Sequence, residues 1–143
     1  MASITVKIEG LDNLKRKLEA LEDAAAADVL EEAVLAGARI VQEDASRRVS
    51  KRTGKLARSI EVEVKEKSRG SVFVAVGPTK EAFYGKFVEL GHALVRGSKK
   101  AKKKVLGHVP ARPFLRPAID ENEGKVKRAI SNALRAALER VTK

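Results

Sequence analysis

The chain has 143 residues, with 30 lysines and arginines against 19 acidic residues, two histidines and a formal net charge of +11. That length suits one domain with a buried core, and the lack of cysteine excludes disulfides and thiolate metal sites. No apolar run approaches the roughly 18 residues of a membrane span and the start MASITVKIEG carries no signal-peptide pattern, so a soluble, cytosolic chain with no membrane partner is expected.

From the N-terminus, Ile4, Val6 and Ile8 alternate with polar residues up to Gly10, the period of a half-buried strand. Leu11, Leu14, Leu18 and Leu21 then recur at helical spacing. A longer helix is expected from about Asp28 toward Arg48, with its apolar stripe on Leu30, Ala33, Val34, Gly37, Ile40, Val41 and Ala45. Ala24 to Ala27 either continue the first helix or follow a break near Asp23. In the stretch after Arg48, Thr53 is a candidate N-cap for a helical turn that puts Leu56 and Ile60 on one side.

Two strands follow. IEVEVKEK alternates, SVFVAVG is a nearly continuous apolar run, and SRG between them reads as a hairpin turn, which makes the second strand the more buried. Phe83, Phe87 and Leu90 mark a short helix closed by Gly91. HALVRGSKKAKKKVLGHV has apolar ends around a lysine-rich middle, the pattern of a hairpin arm at about residues 92–108 with a mobile tip. Pro110 and Pro113 then stiffen the chain, since proline fixes φ and restricts the residue before it. Pro117 is expected to open a last helix, with Asp120, Glu121 and Glu123 near its positive end and Arg140 and Lys143 near its negative end. That helix would use Ile119, Val126, Ile130, Leu134, Ala137, Leu138 and Val141 as its buried face.

The resulting order implies an α+β fold with one domain over residues 1–143. A small antiparallel sheet is packed by a long N-terminal helical segment and a C-terminal helix, and a basic arm stands apart.

Charge is unevenly spread along this order. Residues 1–45 hold ten acidic and five basic side chains, a balance of −5. Beyond them Arg47, Arg48, Lys51, Arg52, Lys55 and Arg58 form one basic cluster, and Arg96, Lys99, Lys100, Lys102, Lys103 and Lys104 a second. Such a chain can pack head to side in an assembly or offer a face to nucleic acid. Neither cluster contains an aromatic residue, which argues against sequence-specific reading and leaves non-specific phosphate contact by the second cluster open.

Catalytic patterns are weak. TGKL at residues 53–56 has Val49 and Leu56 where a phosphate loop needs glycine and a hydroxyl residue. Glu89 with His92 and His108 is too few ligands for a metal, so both histidines are expected in exposed loops. Glu63 and Lys65 have the E-x-K spacing of metal-dependent nucleases, but alternating charge on a solvated strand face produces it by chance. No enzyme activity and no cofactor is expected.

TGKLARSI at 53–60, YGKFVELG at 84–91 and ARPFLRPAI at 111–119, in this order and spacing, resemble small neck proteins of long-tailed bacteriophages. These are the tail-completion, or head-to-tail joining, family of lambdoid phages and related prophages, and the resemblance runs over nearly the whole chain. His92 stands where the family pattern has a small hydroxyl residue. The resemblance implies a non-catalytic structural protein of the virion neck, made in the host cytoplasm. It would form a tail-terminator-like ring matched to a six-fold tail, monomeric until it meets a tail end. Its partners would be the tail tube protein, the head connector or stopper, and DNA passing non-specifically through the channel. On this resemblance Thr53 and Gly54 shape the turn that feeds the sheet, Tyr84, Phe87 and Glu89 fix the short helix against it, and Pro113, Phe114 and Pro117 set the angle of the last helix. Leu56 and Gly91 count with them as structural or assembly positions of the family motifs. Arg112 and Arg116 are expected to pair with acidic groups of the same or a neighbouring subunit.

Overall fold

Residues 2–3, 12–49, 54–68, 70–97 and 102–142 are described by the computed structural model. The expected strand at Ile4, Val6 and Ile8 lies outside them; next to it, Ala2–Ser3 forms a short strand, β1. Helix α1 (Asp12–Glu19) buries Leu14 and half-buries Leu18. The chain breaks at Ala20 to Glu22, and α2 runs from Asp23 to Arg48. Ala24 to Ala27 therefore belong to the second helix, which starts ahead of Asp28.

The buried stripe of α2 is made mostly of small residues, Ala26, Ala27, Ala33, Gly37, Ala38 and Ala45 among them. Small side chains let neighbouring elements approach closely. A Cβ placed at Gly37 would sit 2.7 Å from Ile130 Cγ1, so glycine is needed where the C-terminal helix crosses α2. Helix α3 (Lys55–Arg58) is one turn and leads into β2 (Ile60–Lys67) and β3 (Val72–Pro78). The sheet order is β1-β3-β2, antiparallel throughout. β3 is the more buried strand, as the continuous apolar run implies, because α2 covers Val74 and Val76. Lys65 is the extra residue of a bulge in β2.

A turn of 3-10 helix (Lys80–Ala82) precedes α4 (Gly85–Leu90). Strands β4 (His92–Arg96) and β5 (Lys104–Val109) make a separate two-stranded antiparallel sheet, the expected arm. The rest is helical but is not one helix. α5 (Leu115–Asp120) ends at Glu121 and α6 (Glu123–Thr142) begins after Asn122. Pro117 is therefore the third residue of α5 and not the first of the last helix. Asp120 and Glu121 end α5, and only Glu123 stands in the first turn of α6. Asn122, buried, makes the joint: its side-chain amide donates to the Ala118 carbonyl at 2.8 Å, while its own carbonyl accepts from Val126 N–H at 2.8 Å.

One core cluster joins α1, α2, the sheet, α5 and α6, with Phe114, Leu138, Val41 and Val76 as its largest fully buried side chains. The fold is α+β as the element order implied. No helix among the described residues is long and apolar enough to cross a membrane.

Candidate assembly surface

The three sequence segments singled out above meet at one junction. Leu56 is buried beneath α4, whose first residue, Gly85, has no room for a side chain: a Cβ there would lie 2.7 Å from Leu56 Cδ1 and 2.8 Å from Pro78 Cγ. At the other end of α4, the Glu89 carboxylate accepts three backbone N–H groups at the start of α5. Phe114 and Leu115 donate to Oε2 at 2.7 and 3.0 Å and Arg116 donates to Oε1 at 3.0 Å. These are orphan donors of a helix N-terminus, and a carboxylate satisfies them and complements the helix dipole together. Gly91 has φ +74°, and a Cβ on it would meet the Val109 carbonyl oxygen at 2.7 Å. Arg112 N–H donates to the Val88 carbonyl at 2.8 Å. Both ends of the arm are thus tied to α4, and α4 is tied to α5.

The proline segment that follows holds Phe114 in the core, 1% exposed, with Pro113 outside it and Pro117 half-buried. Arg116 reaches Asp120 of its own helix at 3.8 Å, and Arg112 is exposed. Gly54 adopts φ +69° directly before α3, a left-handed position that suits glycine. Thr53 lies outside the described residues, as do Lys99 and Lys100.

One expectation is corrected. Tyr84 packs on the core, but Phe87 does not fix α4 against the sheet: with Phe83 and Leu90 it points outward, and those two are 68% and 71% exposed. The side of α4 that faces the core carries Gly85 and Val88. The rings of Phe83, Phe87 and His92 instead form a row with edge-on contacts at 6.5 and 5.6 Å, exposed at its two phenylalanines. His92 is half-buried in β4 and not in an exposed loop, and its enclosed Nδ1 has no hydrogen-bond partner among the described residues. His108 is exposed, in β5 and not in a loop.

The arm continues this apolar row. Leu94, Val95, Val105 and Leu106 are all about half exposed or more, so seven of the nine exposed large hydrophobic side chains among the described residues fall between positions 83 and 106. A two-stranded hairpin is marginal alone, and β4 and β5 pack chiefly on each other. Exposed apolar side chains concentrated in one region are a feature of interaction surfaces. At the far end of the arm, Arg96 and Lys104 face each other across the strands, and exposed Lys102 and Lys103 adjoin them.

Several charges elsewhere are paired within the chain. Asp44 accepts from Arg48 Nε at 2.9 Å and from Asn122 Nδ2 at 2.7 Å, and Arg48 also pairs with Glu121. Burial pushes the Asp44 carboxyl up, but the hydrogen bonds from Arg48 and Asn122 and the charges of Arg48 and Arg47 outweigh it and hold its pKa below the ordinary value. Glu63 and Lys65 form an exposed ion pair at 2.8 Å. Among the described residues no three acidic or imidazole groups converge as metal ligands would.

Two features escaped the sequence reading: the Glu89 cap, which spans 25 residues, and the Asp44–Asn122 joint, which spans 78. A buried asparagine just ahead of Gly124 is the one local sign of the second.

A family model described as "Bacteriophage HK97-gp10, putative tail-component" matches residues 12–91, more than half of the chain. That span runs from α1 to the end of α4 and includes Glu89 and Gly91; the arm, α5 and α6 follow it. No curated protein and no solved structure matches the chain.

Proposed function

As a member of the HK97-gp10-like family of bacteriophage tail components, the chain is a structural part of the phage particle, and we propose that it is a non-enzymatic, ring-forming component of the neck. In this reading it sits at the head-proximal end of the tail, between the tail tube protein and the head connector or stopper, and completes the tail as a hexamer. The observation that supports it is the set of seven exposed large hydrophobics on Phe83, α4 and the arm, a surface suited to a protein partner and held in a defined direction by the Glu89 and Gly91 junction. Mixing the chain with purified tails and imaging them by electron microscopy tests it. Added density at the head-proximal end is expected; its absence overturns the reading.

A second reading is favoured by the cationic tip alone: non-specific contact with DNA through Arg96, Lys102, Lys103 and Lys104, with Lys99 and Lys100. Binding would then weaken with salt at a log-log slope of about −0.9 per phosphate neutralised on duplex DNA. A flat response, or no binding at low salt, removes DNA from the account.

A further inference from the structure

Gly107 interrupts a strand for no reason internal to the described chain. It stands in β5, where glycine weakens pairing and loses more conformational freedom than any other residue. Its φ is not positive, unlike those of Gly54, Gly91 and Gly97, so the bulge at neighbouring Leu106 is not the type that needs a left-handed glycine. A Cβ built on it meets nothing within 4 Å, so no neighbour demands the space. Gly70 and Gly124 are as open, but they lie in the β2–β3 turn and the first turn of α6, where glycine is ordinary. A strand glycine with neither reason marks a place where another molecule approaches the backbone closely.

The register shows what surrounds that place. Directly opposite residues share a face of a two-stranded sheet, and successive residues alternate between faces. His92 and Val109, Leu94 and Gly107, and Arg96 and Lys104 are opposite pairs, so these three pairs line one face in order from the root of the arm to its tip. The Phe87 ring meets the His92 ring at 5.6 Å and closes that face at the root. What remains is a shallow notch with Gly107 as its floor and Leu94, 47% exposed, beside it. Two residues further along β4, about 7 Å away, Arg96 against Lys104 makes a cationic rim. Like charges directly across strands destabilise each other, so an anion from outside stabilises this rim.

We infer that this face docks an acidic segment of a different virion protein, with one large apolar side chain seated over Gly107 against Leu94 and a carboxylate beside it on Arg96 and Lys104. The inference rests on the neck reading and deepens it by naming the chemistry of the partner. A second copy is a poor occupant. The chain carries +11, every copy brings the same cationic rim, and carboxylates such as Asp28, Glu31, Glu32 and Glu121 already hold cations of their own chain. Duplex DNA would satisfy the rim, but a phosphate backbone gives Leu94 and the glycine floor nothing to fit. Val95 and Val105, on the opposite face of the arm, are left free for a neighbouring copy in the ring.

Gly107→Val fills the notch with a residue that strands favour over glycine. The variant should unfold in denaturant no earlier than the parent, yet the yield of infectious particles in a complementation assay should fall about tenfold or more, the effect of one overpacked contact. Gly124→Ala, at an equally open glycine away from the arm, should leave both measurements unchanged. The occupant is read by carbodiimide, which joins a lysine amine to a carboxylate in direct contact. In particles carrying the parent chain it should link Lys104 to an Asp or Glu of another virion protein, identified by mass spectrometry, with a large apolar residue within about two positions of it. Earlier unfolding of Gly107→Val would show that the chain itself needs this glycine. That result, a parental particle yield for Gly107→Val, a Lys104 link only to another copy, or no Lys104 link in particles that contain the chain each overturns the docking and leaves the neck reading in place. Absence of the parent chain from particles overturns both.

Discussion

Changing Glu89 to alanine removes one carboxylate and leaves three backbone donors, those of Phe114, Leu115 and Arg116, without their acceptor. A hydrogen bond to a charged group contributes roughly 1.5–3 kcal/mol and an N-cap side chain about 0.5–2 kcal/mol. The contributions do not simply add, because the exposed Arg116 amide regains water at little cost and Glu89 is itself only half-buried. Phe114 is different: its ring is enclosed in the core, so the amide beside it is rehydrated only by moving α5. We therefore expect Glu89→Ala to cost about 2–3 kcal/mol, which at roughly 3–4 °C per kcal/mol for a chain of this size lowers the melting temperature by about 6–12 °C. Glu89→Gln keeps an acceptor while losing the charge, and should cost about 1 kcal/mol. Denaturant unfolding at neutral pH followed by circular dichroism measures both, and amide exchange should speed up at residues 114–116 in the alanine variant. A Glu89→Ala protein within about 0.5 kcal/mol of the parent would refute the claim that this carboxylate holds α4 and α5 together.

Phe114→Ala empties a fully enclosed ring site and should cost about 3–5 kcal/mol in the same unfolding assay. Replacing Lys99, Lys100, Lys102, Lys103 and Lys104 with serine should shift stability by no more than roughly 0.5 kcal/mol per site yet prevent entry into tails, scored by complementation; earlier unfolding of this variant than of Phe114→Ala would mean that the structural and assembly segments have been exchanged. Asp44 has its pKa lowered in the folded chain, so its contribution is complete above the unfolded carboxyl value near 4 and is lost as pH falls through the lower folded value. Denaturation measured from pH 7 to pH 2 should accordingly show Asp44→Asn less stable than the parent at neutral pH, with the gap closing in acid.

What the sequence disclosed was what local pattern carries. The β2–β3 hairpin was legible because alternation and a continuous apolar run announce a half-buried and a buried strand. The break between α5 and α6 was not, because Ile119 and Val126 stand seven apart and keep the same helical phase across the joint. Periodicity passes over a two-residue interruption that preserves phase; only buried Asn122 signals it. The direction of α4 was missed for a related reason. Spacing shows that Phe83, Phe87 and Leu90 share a side, but not whether that side meets the core or solvent. Gly85 held the answer, since a glycine beneath a short helix marks the side pressed against its neighbour. The Glu89 cap lay beyond any window, because nothing near position 89 records that a helix begins at 115.

The seven exposed hydrophobic side chains of Phe83, α4 and the arm also bear on when a ring forms. Fully burying such a side chain yields about 1.5–3 kcal/mol, and these already have part of their surface covered, being 41–71% exposed. Covering all seven would therefore gain about 6–12 kcal/mol. Association costs on the order of 4–15 kcal/mol in lost translational and rotational freedom, and ordering the lysine side chains adds to that. Two free copies that share one such surface thus gain little, whereas a closed ring covers the surface on every copy, and a tail end adds contacts that the free chain lacks. The isolated chain is expected to sediment as a monomer at micromolar concentration and to assemble only on tails. A stable hexamer in the absence of tails would show that pairwise contact is stronger than these side chains provide, and would point to a further interface on the body of the protein.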